Sequence, residues 1–193
     1  MKMPFDAMNE LSDDVLLVLY ANGDRAAAGA LTNRLTPLVF SLAFRLLGDQ
    51  AEAEDIAQEA MLRLWKIAPN WRQGEAKVTT WLYRIVSNLC TDRHRRRKGL
   101  GLDEVAEPRD PTPSVERQMQ DQDRARALRS ALEGLPERQR QAVVMRHLEE
   151  LPNPEIAQIL GVSIEAVESL ISRGKRQLKA TLCSLKKPLG LEE

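Results

Sequence analysis

The chain has 193 residues, 43% of them hydrophobic, and its 28 Lys and Arg residues balance its 28 Asp and Glu residues. That is apolar material for one large or two small domains, and a formal net charge of zero excludes a global attraction to DNA or to anionic lipid. No apolar run approaches the length of a membrane span, and the polar, acidic start lacks a signal-peptide pattern, so a cytoplasmic location is expected.

The neutral total hides segregation. Asp49, Glu52, Glu54, Asp55 and Glu59 follow one another without a basic residue, and Arg173, Lys175, Arg176, Lys179, Lys186 and Lys187 without an acidic one. Such blocks suit different surfaces to different partners. The two cysteines, Cys90 and Cys183, lie far apart on predicted helical faces and read as reduced, buried thiols. With His94 and His147 they have no metal-ligand spacing, and no metal or cofactor is expected. The sequence also lacks a P-loop, a nucleophile elbow and a zincin motif, so no catalytic residues are assigned and the chain is read as a non-enzyme.

In chain order, Ser12-Asp13-Asp14 before Val15, Leu16, Leu17 and Leu19 reads as an N-cap with acids in the first turn, and Asn22-Gly23 stops that helix. Asp24 caps a second helix through Leu31, Leu35, Leu38, Val39, Leu42 and Leu46, which Pro37 is expected to kink or break and Gly48 to end. Asp49 opens a third, whose stripe is Ile56, Ala57, Ala60, Met61, Leu64 and Ile67. Asp55, Gln58, Glu59, Leu62, Arg63 and Lys66 lie mostly off that stripe. They form either an ordinary solvated face or a docking face for another protein, with Leu62 as its apolar anchor.

Pro69 ends the third helix. The loop Asn70–Val78 holds Trp71, Arg72, Gln73, Gly74, Glu75 and Lys77, and is either a pocket wall or a connector with one buried Trp. The stretch from Thr80 to Lys98 is a helix with Leu82, Ile85, Val86 and Leu89 at i, i+3, i+4 and i+7. Its second face carries Trp81, Arg84, Asn88, Thr91 and Arg95, and its end carries a run of cations. An aromatic ring, an amide and dense positive charge suit unpaired nucleic acid, because rings stack on bases and cations neutralise phosphates. A packed aromatic helix with a solvated basic end fits the stretch equally well on its own.

Residues 99–114, rich in Gly, Pro and acid, have no periodicity and read as a linker. The seventeen residues from Gly99 to Val115 reach roughly 55 Å at most, against roughly 34 Å for one turn of duplex, enough to hold two DNA-binding modules apart. The second module opens with a helix from Met119 to Leu135 that puts Leu128, Ala131, Leu132 and Leu135 on one side. Pro136 fits the first turn of the next helix, which carries Ala142, Val143, Met145 and Leu148. Asn153 is expected to cap a short helix with Pro154 at its first position, Gly161 to turn the chain, and Ser163 to cap a longer helix. Short helix, Gly turn and long helix make a helix–turn–helix. In the long helix Val167, Ile171, Gly174, Leu178 and Leu182 form the inward seam. Glu165, Ser169, Ser172, Arg176 and Lys179 face away, flanked by Glu168, Arg173 and Lys175. A recognition helix brings its N-terminal half to base edges and later basic residues to phosphates.

Together these segments resemble the sigma factors of bacterial RNA polymerase, specifically the small two-domain extracytoplasmic-function (ECF) group. The residues that carry the resemblance are Ala53–Lys66, Thr79–Lys98, Leu135–Leu151 and Pro154–Leu178, in the family's order. The resemblance implies an all-α fold of two small helical domains joined by a flexible linker. Residues 10–98 would bind core polymerase and melt the minus-ten element, 99–114 would link, and 115–187 would read the minus-thirty-five element. It implies core docking through Asp55, Gln58, Glu59, Leu62, Arg63 and Trp65. Minus-ten capture falls to Trp71, Arg72, Lys77, Trp81, Arg84, Asn88, Asp92, Arg95 and Arg96, where a flipped base needs stacking and edge-directed hydrogen bonds. Minus-thirty-five contact falls to Ser163, Glu165, Glu168, Ser169, Ser172, Arg173, Lys175 and Arg176. Where the family usually shows a Thr-Val-Lys-Ser-Arg-like run, this chain has Ala166-Val167-Glu168-Ser169-Leu170. An unusual promoter preference follows, because Glu accepts from cytosine amino groups but repels phosphate; alternatively, part of this helix binds a protein inhibitor.

The function implied is that of an alternative sigma factor for a stress response, partnered by core polymerase through its clamp helices and by promoter DNA. An anti-sigma factor, membrane-anchored or zinc-binding in many members, would hold it inactive. Two other readings stand beside it: a helix–turn–helix repressor with an all-helical sensor domain, and a helical protein-interaction module whose cations only solvate it.

Overall fold

The computed structural model describes residues 8, 10–99 and 115–184, with side chains excepted at 98, 99, 115–123 and 184. Among these residues regular structure is helical throughout, with no strand. The α-helices are α1 (Asp13–Ala21), α2 (Arg25–Leu47), α3 (Gln50–Ile67), α4 (Val78–Gly99), α5 (Val115–Glu133), α6 (Glu137–His147), α7 (Asn153–Leu160) and α8 (Ile164–Ser184). The expected linker lies almost wholly outside the described residues.

The front helices start where the sequence places polar caps. Ser12 accepts from the Val15 N–H at 3.4 Å, Asp24 from the Ala26 N–H at 2.9 Å, and Asp49 from the Glu52 N–H at 2.8 Å. Each such cap is worth about 1 kcal/mol. Gly48 ends α2 in the left-handed conformation, φ 73°. Of the kink or break expected at Pro37, the break does not occur: the helix runs unbroken from Arg25 to Leu47. Pro37 lacks the N–H that would bond the Asn33 carbonyl, but both residues are exposed, and water can take that carbonyl. The front core joins Leu31, Leu35, Val39, Leu42 and Leu46 of α2 to Ile56 and Leu64 of α3 and to Leu82 and Val86 of α4.

In the back group Ala142, Val144 and Met145 of α6 pack with Ile156 and Ile159 of α7 and Val167 of α8. Leu128, expected on the packed side of α5, is 37% exposed. Asn153 is not the cap of α7. Pro152 holds that place with ψ 148°, Asn153 is the first helical residue, and Pro154 still falls where no N–H is needed. Gly161 adopts φ 64° between α7 and α8, and Ser163 accepts from the Ala166 N–H at 3.2 Å. Gly174 lets α8 approach α6, since a Cβ there would lie 2.6 Å from Val143 Cγ2.

The two helical groups pack against each other through α2, α4, α6 and α7. Arg45 donates to Glu149 Oε1 at 2.7 Å and to the Leu148 carbonyl. Thr80 Oγ1 donates to Glu155 Oε1 at 2.7 Å, and Gln141 Nε2 donates to Thr91 Oγ1 at 3.0 Å and to the Ser87 carbonyl at 3.3 Å. This packing widens the buried side of α4 beyond its apolar stripe to include Thr80, Tyr83 and Ser87. Burial, then the adjacent Glu149 carboxylate, push the Tyr83 hydroxyl up to about 12. Burial likewise pushes the Cys90 thiol up to about 12, but Cys183 is exposed, contrary to the expectation that both thiols are buried. Near the end of α8 the helix is exposed nearly all round: Lys179, Ala180, Thr181 and Cys183 all face solvent, and only Leu182 stays half-buried.

Candidate functional site

Three exposed surfaces hold the residues singled out above. On α3, Asp55 and Gln58 are exposed and Leu62 is 51% exposed, a large apolar side chain left in water. Arg63 Nε donates to Glu59 Oε1 at 2.8 Å, an i, i+4 pair along the helix. Trp65 is half-buried, its ring 4.6 Å from that of Tyr20. Leu62 and Trp65 border a groove of about 880 Å³ between α2 and α3, floored by Phe40, Ala57 and Met61 and edged by Pro37 and Gln58. The groove is open and mostly apolar, with charge at its rim, which is the anatomy of a protein docking surface.

The second surface is on α4 and the loop before it. Trp71 and Trp81 meet edge to face with centroids 6.1 Å apart, and the Trp71 indole N–H donates to Asp14 Oδ1 at 3.0 Å. That bond fixes the loop, so Trp71 is neither a free wall nor fully buried. From the Trp pair the exposed side chains of Arg84, Asn88, Asp92, Arg95 and Arg96 run along α4 at helical spacing. Arg93 and Arg97 turn the other way, toward the acids of α3. Arg97 Nη2 is 2.7 Å from Glu52 Oε2, and Arg93 Nη2 is 3.6 Å from Asp55 Oδ2. The cationic end of α4 is thus split between structural pairing and a free face. Arg95 and Arg96 have no ion-pair partner among the described residues. Thr91, placed on the free face in the sequence, points instead to Gln141. Lys77 lies 3.8 Å from Glu155 of α7, and Arg72 3.4 Å from Glu75 in the exposed loop.

The third surface is α8. Ser163, Glu165, Glu168, Ser169, Ser172, Arg173, Lys175 and Arg176 are all exposed, while Val167 and Gly174 are buried. Hydrogen bonding to the backbone and then to Ser163 holds the Glu165 carboxyl below its ordinary range, so an acid stays ionised at the start of this helix. Among the described residues no three His, Cys, Asp or Glu side chains cluster as metal ligands, and no helix is long and apolar enough to cross a membrane.

What sequence reasoning missed is the seam between the helical groups: Arg45, Arg140, Gln141, Glu149 and Glu155. Arg140 and Gln141 are buried, and periodicity gives no sign of that, because a polar residue off the apolar stripe reads as solvated.

Two family models match the chain: Sigma-70 region 2 over residues 31–99 and Sigma-70 region 4 over residues 125–178. Among curated proteins, the chain is 36% identical over 169 residues to ECF RNA polymerase sigma factor SigE of Mycolicibacterium smegmatis, covering 84% of this chain and 65% of SigE. It is 34% identical over 181 residues to ECF RNA polymerase sigma factor SigM of Mycobacterium tuberculosis, covering 92% and 88%. Among solved structures, CnrH in complex with the cytosolic domain of CnrY superposes with TM-score 0.68 and 25% identity, over 89% of this chain and 97% of that one.

Proposed function

The chain belongs to the ECF group of RNA polymerase sigma factors and is an alternative sigma factor, and from that premise we propose how its surfaces share the work of initiation. The family is one of transcription regulators, and this member carries no chemistry of its own. Residues 10–98 bind core polymerase and open the minus-ten element, 99–114 link, and 115–187 hold the minus-thirty-five element as duplex.

The face of α3 docks on the clamp helices of core polymerase. Leu62 is the apolar anchor beside the α2–α3 groove, and Asp55, Gln58, Glu59, Arg63 and Trp65 surround it. The α4 face captures the melted strand. The Trp71–Trp81 pair offers a stacking edge, Asn88 an amide for a base edge, and Arg84, Arg95 and Arg96 the charge for phosphates. Asp92, Arg72 and Lys77 border this face. On α8, Ser169, Ser172, Arg173, Lys175 and Arg176 supply most of the duplex contact, and Glu165 and Glu168 suit cytosine amino groups. In the cytoplasm an anti-sigma factor restrains the protein, zinc-binding or tethered to the membrane, as part of a stress response.

The observation that carries this reading is the sorting of the α4 cations. Arg93 and Arg97 are spent on the acids of α3, while Arg84, Arg95 and Arg96 stay exposed along the helix face that also carries Trp81 and Asn88. The outward cations are left without counter-ions among the described residues, and the phosphates of a melted strand would supply them. Run-off transcription with purified core polymerase tests the reading. Initiation at discrete sites that depends on this chain supports it. A stable duplex complex with no effect on polymerase favours a repressor.

A further inference from the structure

No residue of α1 is given a task in the reading above, and the region 2 match begins at residue 31, beyond the end of that helix. Yet α1 is firmly seated. Leu16 and Leu17 are fully buried, and Ser12 caps the first turn. Arg34 of α2 donates to Asp13 Oδ1 at 2.7 Å and to the Leu11 carbonyl at 2.9 Å, which ties the start of α1 to α2.

Asp14 reaches the other way, to the loop before α4. Its Oδ1 accepts from the Trp71 indole N–H at 3.0 Å, and its carbonyl accepts from Gln73 Nε2 at 3.4 Å. The rest of that loop, residues 72–77, is exposed, and Arg72 pairs with Glu75 inside it. At the far end Lys77 lies 3.8 Å from Glu155 and Val78 is buried. Asp14 therefore anchors the near end of the loop to a rigid helix. The indole has a single N–H and no acceptor. Turning the ring over would take that N–H away from Asp14, so the bond selects one orientation of a half-buried ring. In that orientation Trp71 stands at 87° to Trp81 with the centroids 6.1 Å apart.

An acid in the first turn of a helix is also favoured by the helix dipole, and Asp13 shares that position. What sets Asp14 apart is its bond to the aromatic side chain of the loop. A ring that is already held in place binds a base better than a loose one, because a loose ring loses rotamer freedom at the moment of binding. We propose that Asp14 is a positioning residue for capture of the minus-ten strand. It touches no DNA itself. Through the Trp71 N–H it holds the Trp71–Trp81 edge in the arrangement on which a captured base stacks. This inference rests on the strand-capture reading above.

Promoter fragments selected from genomic DNA by the holoenzyme provide the probe. They are rebuilt as bubbles with the minus-ten strand unpaired, and a single abasic site is placed at each minus-ten position in turn. Wild-type holoenzyme is expected to lose roughly tenfold in affinity at one position, the scale of one stacked base. D14A should lose roughly as much on the intact strand and almost nothing further at that abasic position. Its affinity for core polymerase and for the upstream duplex should match the wild type. D14N should keep most of the strand binding, because its amide oxygen accepts the same N–H without carrying charge. In a W71F background, which lacks the N–H, D14A should cost nothing further. Unchanged strand binding by D14A overturns the assignment, as do independent losses from D14A and from the abasic site. A D14N variant as weak as D14A makes helix charge the cause instead, and a parallel loss of core affinity makes Asp14 a folding residue; either result overturns the proposal. Wild-type holoenzyme that is indifferent to an abasic site at every minus-ten position overturns the strand-capture reading itself, a separate result that needs no variant.

Discussion

Arg45 and Glu149 meet at 2.7 Å across the seam between the front and back helices, and the Glu149 side chain is only 6% exposed. Its other oxygen lies 3.4 Å from the Tyr83 hydroxyl. One buried carboxylate therefore holds α2 and α4 to the turn between α6 and α7. The surfaces proposed for the minus-ten and minus-thirty-five elements sit on opposite partners of that seam, so on that reading it governs how freely the two move relative to each other.

Replacing that carboxylate should loosen the seam. Glu149→Gln is expected to cost about 1.5 kcal/mol, the low end for a hydrogen bond to a charged group, because the Arg45 side chain keeps 36% exposure. Dyes at the native exposed Cys183 and at Glu54→Cys would report a broader, longer distance distribution between the groups. The Tyr83 hydroxyl should also titrate closer to its ordinary value. An unchanged distance distribution together with an unchanged Tyr83 titration would show that Glu149 does not hold the seam.

A second expectation follows from His94, whose ring nitrogen lies 3.4 Å from the Leu46 carbonyl. Burial, then Arg140, lower its proton affinity in the folded protein. The unfolded imidazole, with a pKa near 6.5, binds the proton more readily. The unfolded state therefore takes up more protons, and stability rises with pH through this window. His94 gives its full stabilisation above about pH 6.5 and loses it as the pH falls through its lowered folded value. His147 acts in the same direction. Urea unfolding between pH 5 and 8 should show a shallower pH dependence for His94→Gln, with a residual slope from His147; an unaltered dependence would contradict the assignment.

Gly174 tests the packing of the helix–turn–helix. An added methyl would lie 2.6 Å from Val143 Cγ2. Overpacking costs about 1–3 kcal/mol, while the gain in helix propensity returns up to about 1. Gly174→Ala should lower stability by about 1–2 kcal/mol in thermal unfolding. The cost of adding Val143→Ala should be less than additive, because it empties the clashing position. Full additivity of the two would rule out the contact.

Much of the fold was legible because its signals are local. Ser12, Asp24, Asp49 and Ser163 cap where short polar side chains precede apolar periodicity, and Gly48 and Gly161 turn where the backbone needs positive φ. Pro37 did not break α2, because the burial of Leu35, Val39 and Leu42 around it outweighs the roughly 3 kcal/mol that a proline costs a helix interior, a tertiary effect that no local pattern shows. Asn153 misled because Pro152, already extended, starts α7 one residue earlier. The free face of α4 was legible from spacing alone, but Thr91 was not. Its neighbour Gln141 comes from a segment fifty residues away, and no local pattern encodes that meeting.

The most direct measurement pairs core-polymerase binding with permanganate footprinting of the melted strand for two sets of variants. Trp81→Ala and Asn88→Ala remove the stacking edge and the amide of α4, and Leu62→Ala and Glu59→Lys alter the docking face of α3. Base stacking is worth about 1–3 kcal/mol per base, so the α4 variants should bind core normally and lose roughly tenfold or more of the permanganate signal. The α3 variants should be outcompeted for core and regain normal melting once core is saturated. Matching profiles for the two sets would contradict the division of labour between α3 and α4.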